Sequence, residues 1–380
     1  MEVYLDNSAT TRCYDQVGDL VRTIMCKDYG NPSSLHLKGI QAERHLKIAT
    51  RDIGNILKVN EKEIIYTSGG TESNNLAVIG GAVANKRAGN HIITTEIEHP
   101  AVTNSMKHLE EEGFEVTYLP VDRNGIVCLQ KLEDSLRADT ILVSVTHVNN
   151  EIGSIQPLES MGEIIKKHNQ KTLFHSDGVQ GYGKIIIYPK RIGLDMYSAS
   201  GHKIHGPKGV GFLYKKEGVK IVPITFGGNQ QKGLRSGTDN VPGVAGMALA
   251  SKIIYQDIEE KQKRLAKLKC RFLDGLANME DVHIKVGGVP HIISVAFKGI
   301  RSEVLLHALE EKGIYISAGS ACSSYSKKAS NTLIAIGIPK DLQESTVRFS
   351  MSEFTTKEEI DYTLESLYQV VPVLRRFVRR

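Results

Sequence analysis

The stretch SASGHKIHGPKG, residues 198–209, sets Lys203 between two histidines, in a run of side chains too small to fill a core. An amine so placed is left open to a partner bulkier than its neighbours. Other segments offer complementary chemistry. Asp177 in FHSDGVQ stands where a strand-like run gives out, with Gln180 close behind. A carboxylate there suits a metal, a ribose hydroxyl or a protonated ring nitrogen, and equally it can start a turn. In IIYTSGGTESNNLAV, Ser68-Gly69-Gly70-Thr71 ends a strand and opens a helix. The free N–H groups of a helix start suit an anion, although a tight turn with a threonine cap is written in the same letters. The Gly-Lys-Ser/Thr ending of a Walker loop is absent. His99 precedes Pro100, which can begin a helix, and a histidine there could stack, shuttle protons or cap. Asn149 in HVNNEIGSIQP ends another strand.

The elements that must position these groups follow from pattern. Seven β-rich runs lie between Glu63 and Lys216: EIIYTSG, HIITTEI, FEVTYLPV, TILVSVTH, TLFHSDG, LDMYSAS and GVGFLYKK. Helical stretches such as AVTNSMKHLEEEG and LESMGEIIKKHNQ separate several of them. This alternation predicts an α/β fold with a mostly parallel sheet covered on both faces, whose ligands gather at the carboxyl ends of the strands. Lys203 follows the run after Asp177, so neighbouring strand ends bring the two to one sheet edge. A long helical pattern over Val244–Leu276 predicts a bridge between domains. After it, HIISVAF, SEVLLHALEEKG, IYISAG, TVRFSMS and a helix from Thr356 predict a small α+β domain. Leu305, Leu306 and Leu309 share a helix face there and are expected to serve core packing only. The expected boundaries are 14–258 for the large domain, with 1–13 and 259–380 forming the small one.

At 380 residues, two domains are the default. A hydrophobic content of 41% and a charged content of 24% are ordinary for a globular chain. A formal charge of +5 is too modest to point to nucleic acid. The N-terminus MEVYLDNSATT lacks a basic region followed by an apolar one, and no apolar run has the length of a bilayer span. Cys13, Cys26, Cys128, Cys270 and Cys322 are scattered, with no CxxC pair, so neither a disulfide framework nor a zinc site is indicated. A reducing cytoplasm is the expected compartment.

Taken together, an anion nest, a carboxylate, a histidine, an amide and a lysine at one sheet edge match the needs of pyridoxal 5′-phosphate. Its phosphate wants the helix start, its ring nitrogen a carboxylate, and its aldehyde an amine. The motifs YLDNSATT, GNPSSLH, TSGGTESNNLA, EHPAV, NNEIGSIQP, HSDGVQ, SGHKIHGPKGVG, GGNQQKGLRSGTDN and SAGSACSS occur in the order found in the cysteine desulfurases of the NifS/IscS type. The chain resembles that family over essentially its whole length. Gly178 departs from the family's usual alanine, and Asn229 and Gln231 from its usual glycine and glutamate.

The resemblance implies fold type I of the pyridoxal-phosphate-dependent transferases, with a seven-stranded sheet in the large domain and a mobile cysteine loop in the small one. It gives Lys203 as the Schiff-base lysine, Asp177 as the partner of the ring nitrogen, His99 as the stacked residue and candidate acid–base group, and Gln180 as the contact to the ring hydroxyl. Gly70, Thr71, Ser200 and His202 are its phosphate ligands, and Thr238 is one donated by the other subunit of a homodimer. Cys322 lies in a run without bulky apolar neighbours, which reads as a loop, and Lys327 and Lys328 would favour its thiolate. The resemblance makes it the persulfide carrier, with transient iron–sulfur ligation open and no resident metal. Arg348 offers a planar fork for an α-carboxylate, or alternatively a surface salt bridge; the resemblance makes it the substrate anchor, assisted by Asn149.

The expected activity is conversion of L-cysteine to L-alanine, with sulfur passed to an iron–sulfur scaffold or another acceptor protein, or to tRNA or cofactor thiolation. A selenocysteine lyase or a small-amino-acid aminotransferase of the same fold is the alternative. A catalytically silent scaffold is a further one, and so is a surface binder using Arg375, Arg376, Arg379 and Arg380. No direct contact with nucleic acid or membrane is expected.

Overall fold

Side chains alternating at every second position send the central strands' apolar groups to two opposite faces, and helices cover both. The computed structural model describes residues 1–285, 287–318 and 330–378. A short strand, β1 (Val3–Tyr4), precedes β2 (Ile64–Thr67), β3 (His91–Thr95), β4 (Glu115–Leu119), β5 (Thr140–Thr146), β6 (Leu173–Asp177), β7 (Met196–Ser200) and β8 (Gly211–Lys215). Strands β2 to β8 each fall within one of the predicted runs. They form one sheet in the order β2-β8-β7-β6-β5-β3-β4, in which β8 runs against both its neighbours and the other pairings are parallel.

The helices of this part are α1 (Asp15–Cys26), α2 (Leu37–Leu57), α3 (Gly70–Asn85), α4 (Pro100–Glu111), α5 (Leu129–Ser135), α6 (Leu158–His168) and α7 (Val241–Tyr255). Ile65, Ile92, Leu142, Met196 and Leu213 pack against α3 and α4 through Leu76, Val78, Val102 and Met106. Their sequence neighbours Ile64, Ile93, Val143, Tyr197 and Phe212 face the other way, onto Ile53, Met161 and Met247 from α2, α6 and α7.

A second assembly follows: α8 (Ile258–Ala277), β9 (Val282–Lys285), β10 (Ile292–Phe297), α9 (Ser302–Glu310), β11 (Ile314–Tyr315), β12 (Ser317–Ala318), α10 (Asn331–Ala335), α11 (Lys340–Gln343), β13 (Thr346–Ser350) and α12 (Lys357–Val378). An antiparallel sheet of order β12-β13-β10-β9 packs Val295, Phe297, Val347 and Phe349 against Phe272 of α8, Leu305 and Leu309 of α9, and Leu367 of α12. The run IYISAG divides into two strands. β11 pairs in parallel with β1, while β12 joins β13.

The single long helical pattern expected over Val244–Leu276 is not one helix. It breaks between α7 and α8 at Gln256-Asp257, where Asp257 takes a left-handed φ of 56°. The reason lies in the two partners. Helix α7 is buried against the large sheet, whereas the amphipathic α8 packs Leu265, Leu268 and Phe272 into the second core. No helix of the described residues is long and apolar enough to cross a membrane.

Candidate active site

Between the carboxyl edge of the large sheet and the second assembly lies a cavity of about 450 Å³. Adjacent strands β6 and β7 are in register from His175–Met196 to Asp177–Ser198, which sets Asp177 beside the turn that carries Lys203. Gly70, Thr71, His99, Asp177, Gln180, Ser200, His202, Lys203 and Arg348 all line the cavity, so most of the predicted constellation converges. Cys322, Lys327 and Lys328 lie outside the described residues, as do Arg379 and Arg380.

Asp177 is buried and held at both oxygens. Oδ2 accepts from Asn74 Nδ2 at 2.7 Å, and Oδ1 accepts from the Val179 N–H at 3.0 Å. His99 begins α4 as its cap: its Nδ1 accepts the Ala101 N–H at 3.1 Å, which leaves the proton of a neutral ring on Nε2. The surrounding protein lowers the His99 pKa by desolvation, with the Asp177 charge opposing and the Lys203 charge assisting. Lys203 Nζ donates to the carbonyls of Ser8 and Ala9 at 2.6 and 2.8 Å. Gln180 Nε2 donates to the same Ser8 carbonyl at 2.9 Å.

Helix α3 opens at Gly70 after Gly69, whose φ of 153° disfavours other residues. A Cβ on Gly70 would come within 2.5 Å of Val179 Cγ2. Around this helix start, burial and the charges of Lys203 and Lys208 hold His202 far down, at about 4. A helix N-terminus is complementary to an anion, toward which a neutral imidazole adds hydrogen bonding but no charge.

Two predicted residues sit elsewhere. Asn149 is buried, with its amide spent within the protein. Nδ2 donates to Ile97 O and Thr332 Oγ1, and Oδ1 accepts from the N–H groups of Glu151 and Ile152. Its neighbour Asn150 lines the cavity instead. Thr238 is exposed and is not among the residues lining this chain's own cavity. Arg348 lies within β13 and is neither at a strand end nor on the surface. It is buried and paired with Asp6.

Sequence reading missed the opposite wall. Asp6, Ser8, Ala9, Leu306 and Ile316 line the cavity there, and Asn74 of α3, also missed, lines it from the sheet side. Leu306 therefore does more than the core packing expected of it, while Leu305 and Leu309 are buried as expected. The YLDNSATT motif was the available signal, but its chemistry is carried largely by main-chain carbonyls, which residue types do not reveal. The departures from the family pattern have local causes. A Cβ on Gly178 would fall 2.0 Å from Cζ of Tyr197, whose hydroxyl pairs with His147 Nδ1 at 2.9 Å. Gln231 accepts from the Tyr66 N–H and donates to Asp239 Oδ1 at 2.7 Å, a donation a glutamate could not make. The structure offers no account of Asn229.

The donor set suits a phosphorylated aromatic aldehyde: an anion nest at α3, a fixed carboxylate, an imidazole and a primary amine around one cavity. The hydroxyl of Ser8 and the carbonyl oxygen of Asn74 are buried there without hydrogen-bond partners, leaving polar capacity for a ligand. Among the described residues no cluster of three or more metal-ligating side chains is present. With this sheet and site, the chain belongs to the class-V aminotransferase family, whose model matches residues 3–363, and the cofactor is pyridoxal 5′-phosphate.

More narrowly, the chain is 42% identical over 376 residues to a cysteine desulfurase IscS of Methanosarcina thermophila, covering 98% of this chain and 93% of that protein. A solved NifS-like protein superposes with a TM-score of 0.93 at 40% identity, covering 98% of this chain and 100% of the other. A structure described as SspA in complex with cysteine matches with a TM-score of 0.82 at 31% identity, over 93% of this chain and 100% of that one.

Proposed function

We propose that this chain is a cysteine desulfurase, which converts L-cysteine to L-alanine and carries the released sulfur as a persulfide on Cys322. The observation that supports it most is the meeting of Asp177, His99 and Lys203 with Arg348 around one cavity, in a chain 42% identical to a desulfurase.

Gly70, Thr71, Ser200 and His202 would hold the cofactor phosphate, and Asp177 would keep the ring nitrogen protonated. His99 would lie on the ring, and Lys203 Nζ would join the aldehyde. When bound, the cofactor supplies an electron sink for the pairs released at the substrate's α-carbon and on cleavage of its C–S bond. Arg348 takes the substrate carboxylate. Lys203, once displaced by the substrate amine, moves the α-proton. The Cys322 thiolate attacks the substrate sulfur, so an S–S bond forms as the C–S bond breaks. Protons returned through Lys203 and the Nε2–H of His99 complete alanine.

Thr238 reaches the phosphate of a second copy's site, so the working unit is a homodimer. The persulfide passes to an acceptor protein that serves iron–sulfur assembly or thiolation. The requirement for a second nucleophile separates this reading from plain transamination.

The test is to supply L-cysteine to the holoprotein and assay alanine and protein-bound sulfur. Cys322→Ala is expected to keep the cofactor's visible absorbance and lose the bound sulfur. An unchanged alanine rate in that variant removes Cys322 from the reaction, and absence of alanine from the parent protein overturns the reading.

A further inference from the structure

Arg348 is not an open fork. Its Nη2 pairs with Asp6 Oδ1 at 2.9 Å, and its Nη1 donates to the Asn150 carbonyl at 2.9 Å. Its Nε is buried without a hydrogen-bond partner. The arginine side chain is 5% exposed against 22% for Asp6, so the guanidinium is sequestered while the carboxylate faces the cavity they both line. Asp6 also cannot retreat with its backbone. It bridges Ser350 on the strand that carries Arg348. On either side, the Leu5 N–H donates to Tyr315 O at 2.8 Å and the Ser8 N–H to Ser350 Oγ at 2.8 Å.

We propose, resting on the reading of Arg348 as the anchor for the substrate carboxylate, that Asp6 is a specificity-determining residue that makes the site discriminate α-amino acids from simple carboxylic acids. In the resting site the Asp6 carboxylate holds the guanidinium. An incoming carboxylate must share that cation with Asp6, and two carboxylates on one guanidinium repel. A simple acid has nothing to offset this. An α-amino acid brings an ammonium group next to its carboxylate, and Asp6, yielding part of Arg348, can accept a hydrogen bond from it. The same negative charge thus opposes one ligand class and accommodates the other, which is discrimination by a repulsive element.

The test uses Asp6→Asn holoprotein, which keeps the size and the accepting oxygen but removes the charge. Binding of 3-mercaptopropionate, which is cysteine without its amino group, is measured by calorimetry, and the KM for L-cysteine by alanine release. The variant is expected to bind 3-mercaptopropionate about tenfold more tightly, as removal of one like-charge contact allows, while the KM for L-cysteine changes less than about threefold. Equal changes for both ligands, no change, or weaker binding of the acid would overturn the proposal. Asp6→Ser serves the same comparison if the asparagine variant does not accumulate. The calorimetric arm does not depend on turnover, so a parent protein that makes no alanine refutes the desulfurase reading, while unchanged or weaker binding of 3-mercaptopropionate by Asp6→Asn still overturns the role of Asp6.

Discussion

The two walls of the cavity are built on different principles. Along the carboxyl edge of the large sheet, each group is a side chain anchored within its own layer. Asp177 is gripped by Asn74 and the Val179 N–H, and His99 by the first turn of α4. The facing wall is chain in transit. Residues 5–9 run from β13 toward the turn after β7, presenting the Ser8 and Ala9 carbonyls to Lys203 and the Asp6 carboxylate to Arg348. The first wall needs one sheet to form. The second exists only once both assemblies have docked. The difference teaches that the groups proposed for catalysis ride on the rigid layer, while those proposed to meet the ligand's carboxylate belong to the junction.

Lys203 ties the walls together and should show the largest effect. Lys203→Ala is expected to cut alanine production from L-cysteine by roughly a thousandfold or more, since general acid–base work and the covalent link to the cofactor are lost together. Borohydride reduction of parent holoprotein should tag the peptide containing residue 203. A tag on another peptide would unmake the first wall.

Two adjacent leucines on α9 separate packing from ligand contact on the second wall. Leu305 is fully buried, so Leu305→Ala should cost about 2–5 kcal/mol in a denaturation experiment. Leu306 is partly exposed and lines the cavity, so Leu306→Ala should cost roughly 1 kcal/mol or less while shifting the KM for L-cysteine. Equal losses of stability would return Leu306 to the core.

A pH-dependent effect concerns Glu98, the buried residue that precedes His99 on the first wall. Burial raises its pKa from 4.5 to about 8, the hydrogen bonds from Thr95 Oγ1 and the Thr146 N–H oppose this, and the Asp177 charge adds to it. A pKa raised in the folded state means that the folded protein holds this proton more tightly. Its stabilising contribution is complete below about 4.5 and is lost as pH rises through about 8. Glu98→Gln lacks this titration, so its stability relative to the parent should improve across that window, read from denaturant midpoints. A difference that stays flat with pH would show that Glu98 ionises as freely in the fold as outside it.

Much of this was legible because it is local. Short β-rich runs between helical stretches announced β2 to β8, and small neighbours around Lys203 announced a space for something other than protein. A Gly-Gly pair before a helical run announced a helix start, which the structure opens at Gly70 beside the cavity. What escaped was either non-local or carried by the backbone. No property of Ser8 or Ala9 marks their carbonyls as partners for an amine nearly two hundred residues away. Leu305 and Leu306 read alike until a cavity opens beside one of them. The break between α7 and α8 depends on each half having a different sheet to cover, and Gly178 makes sense only beside the ring of Tyr197.

By itself the sequence determined the period of each element, the residue types at each strand end and therefore the kind of chemistry available, because these depend on neighbours along the chain. Tertiary structure decided which groups face one another. It paired Arg348 with Asp6, turned Asn149 inward, left Thr238 outside its own chain's cavity and brought the N-terminal carbonyls to Lys203. Such contacts are set by how two sheets dock, and a docking geometry is a property of whole surfaces that no short run of residues encodes.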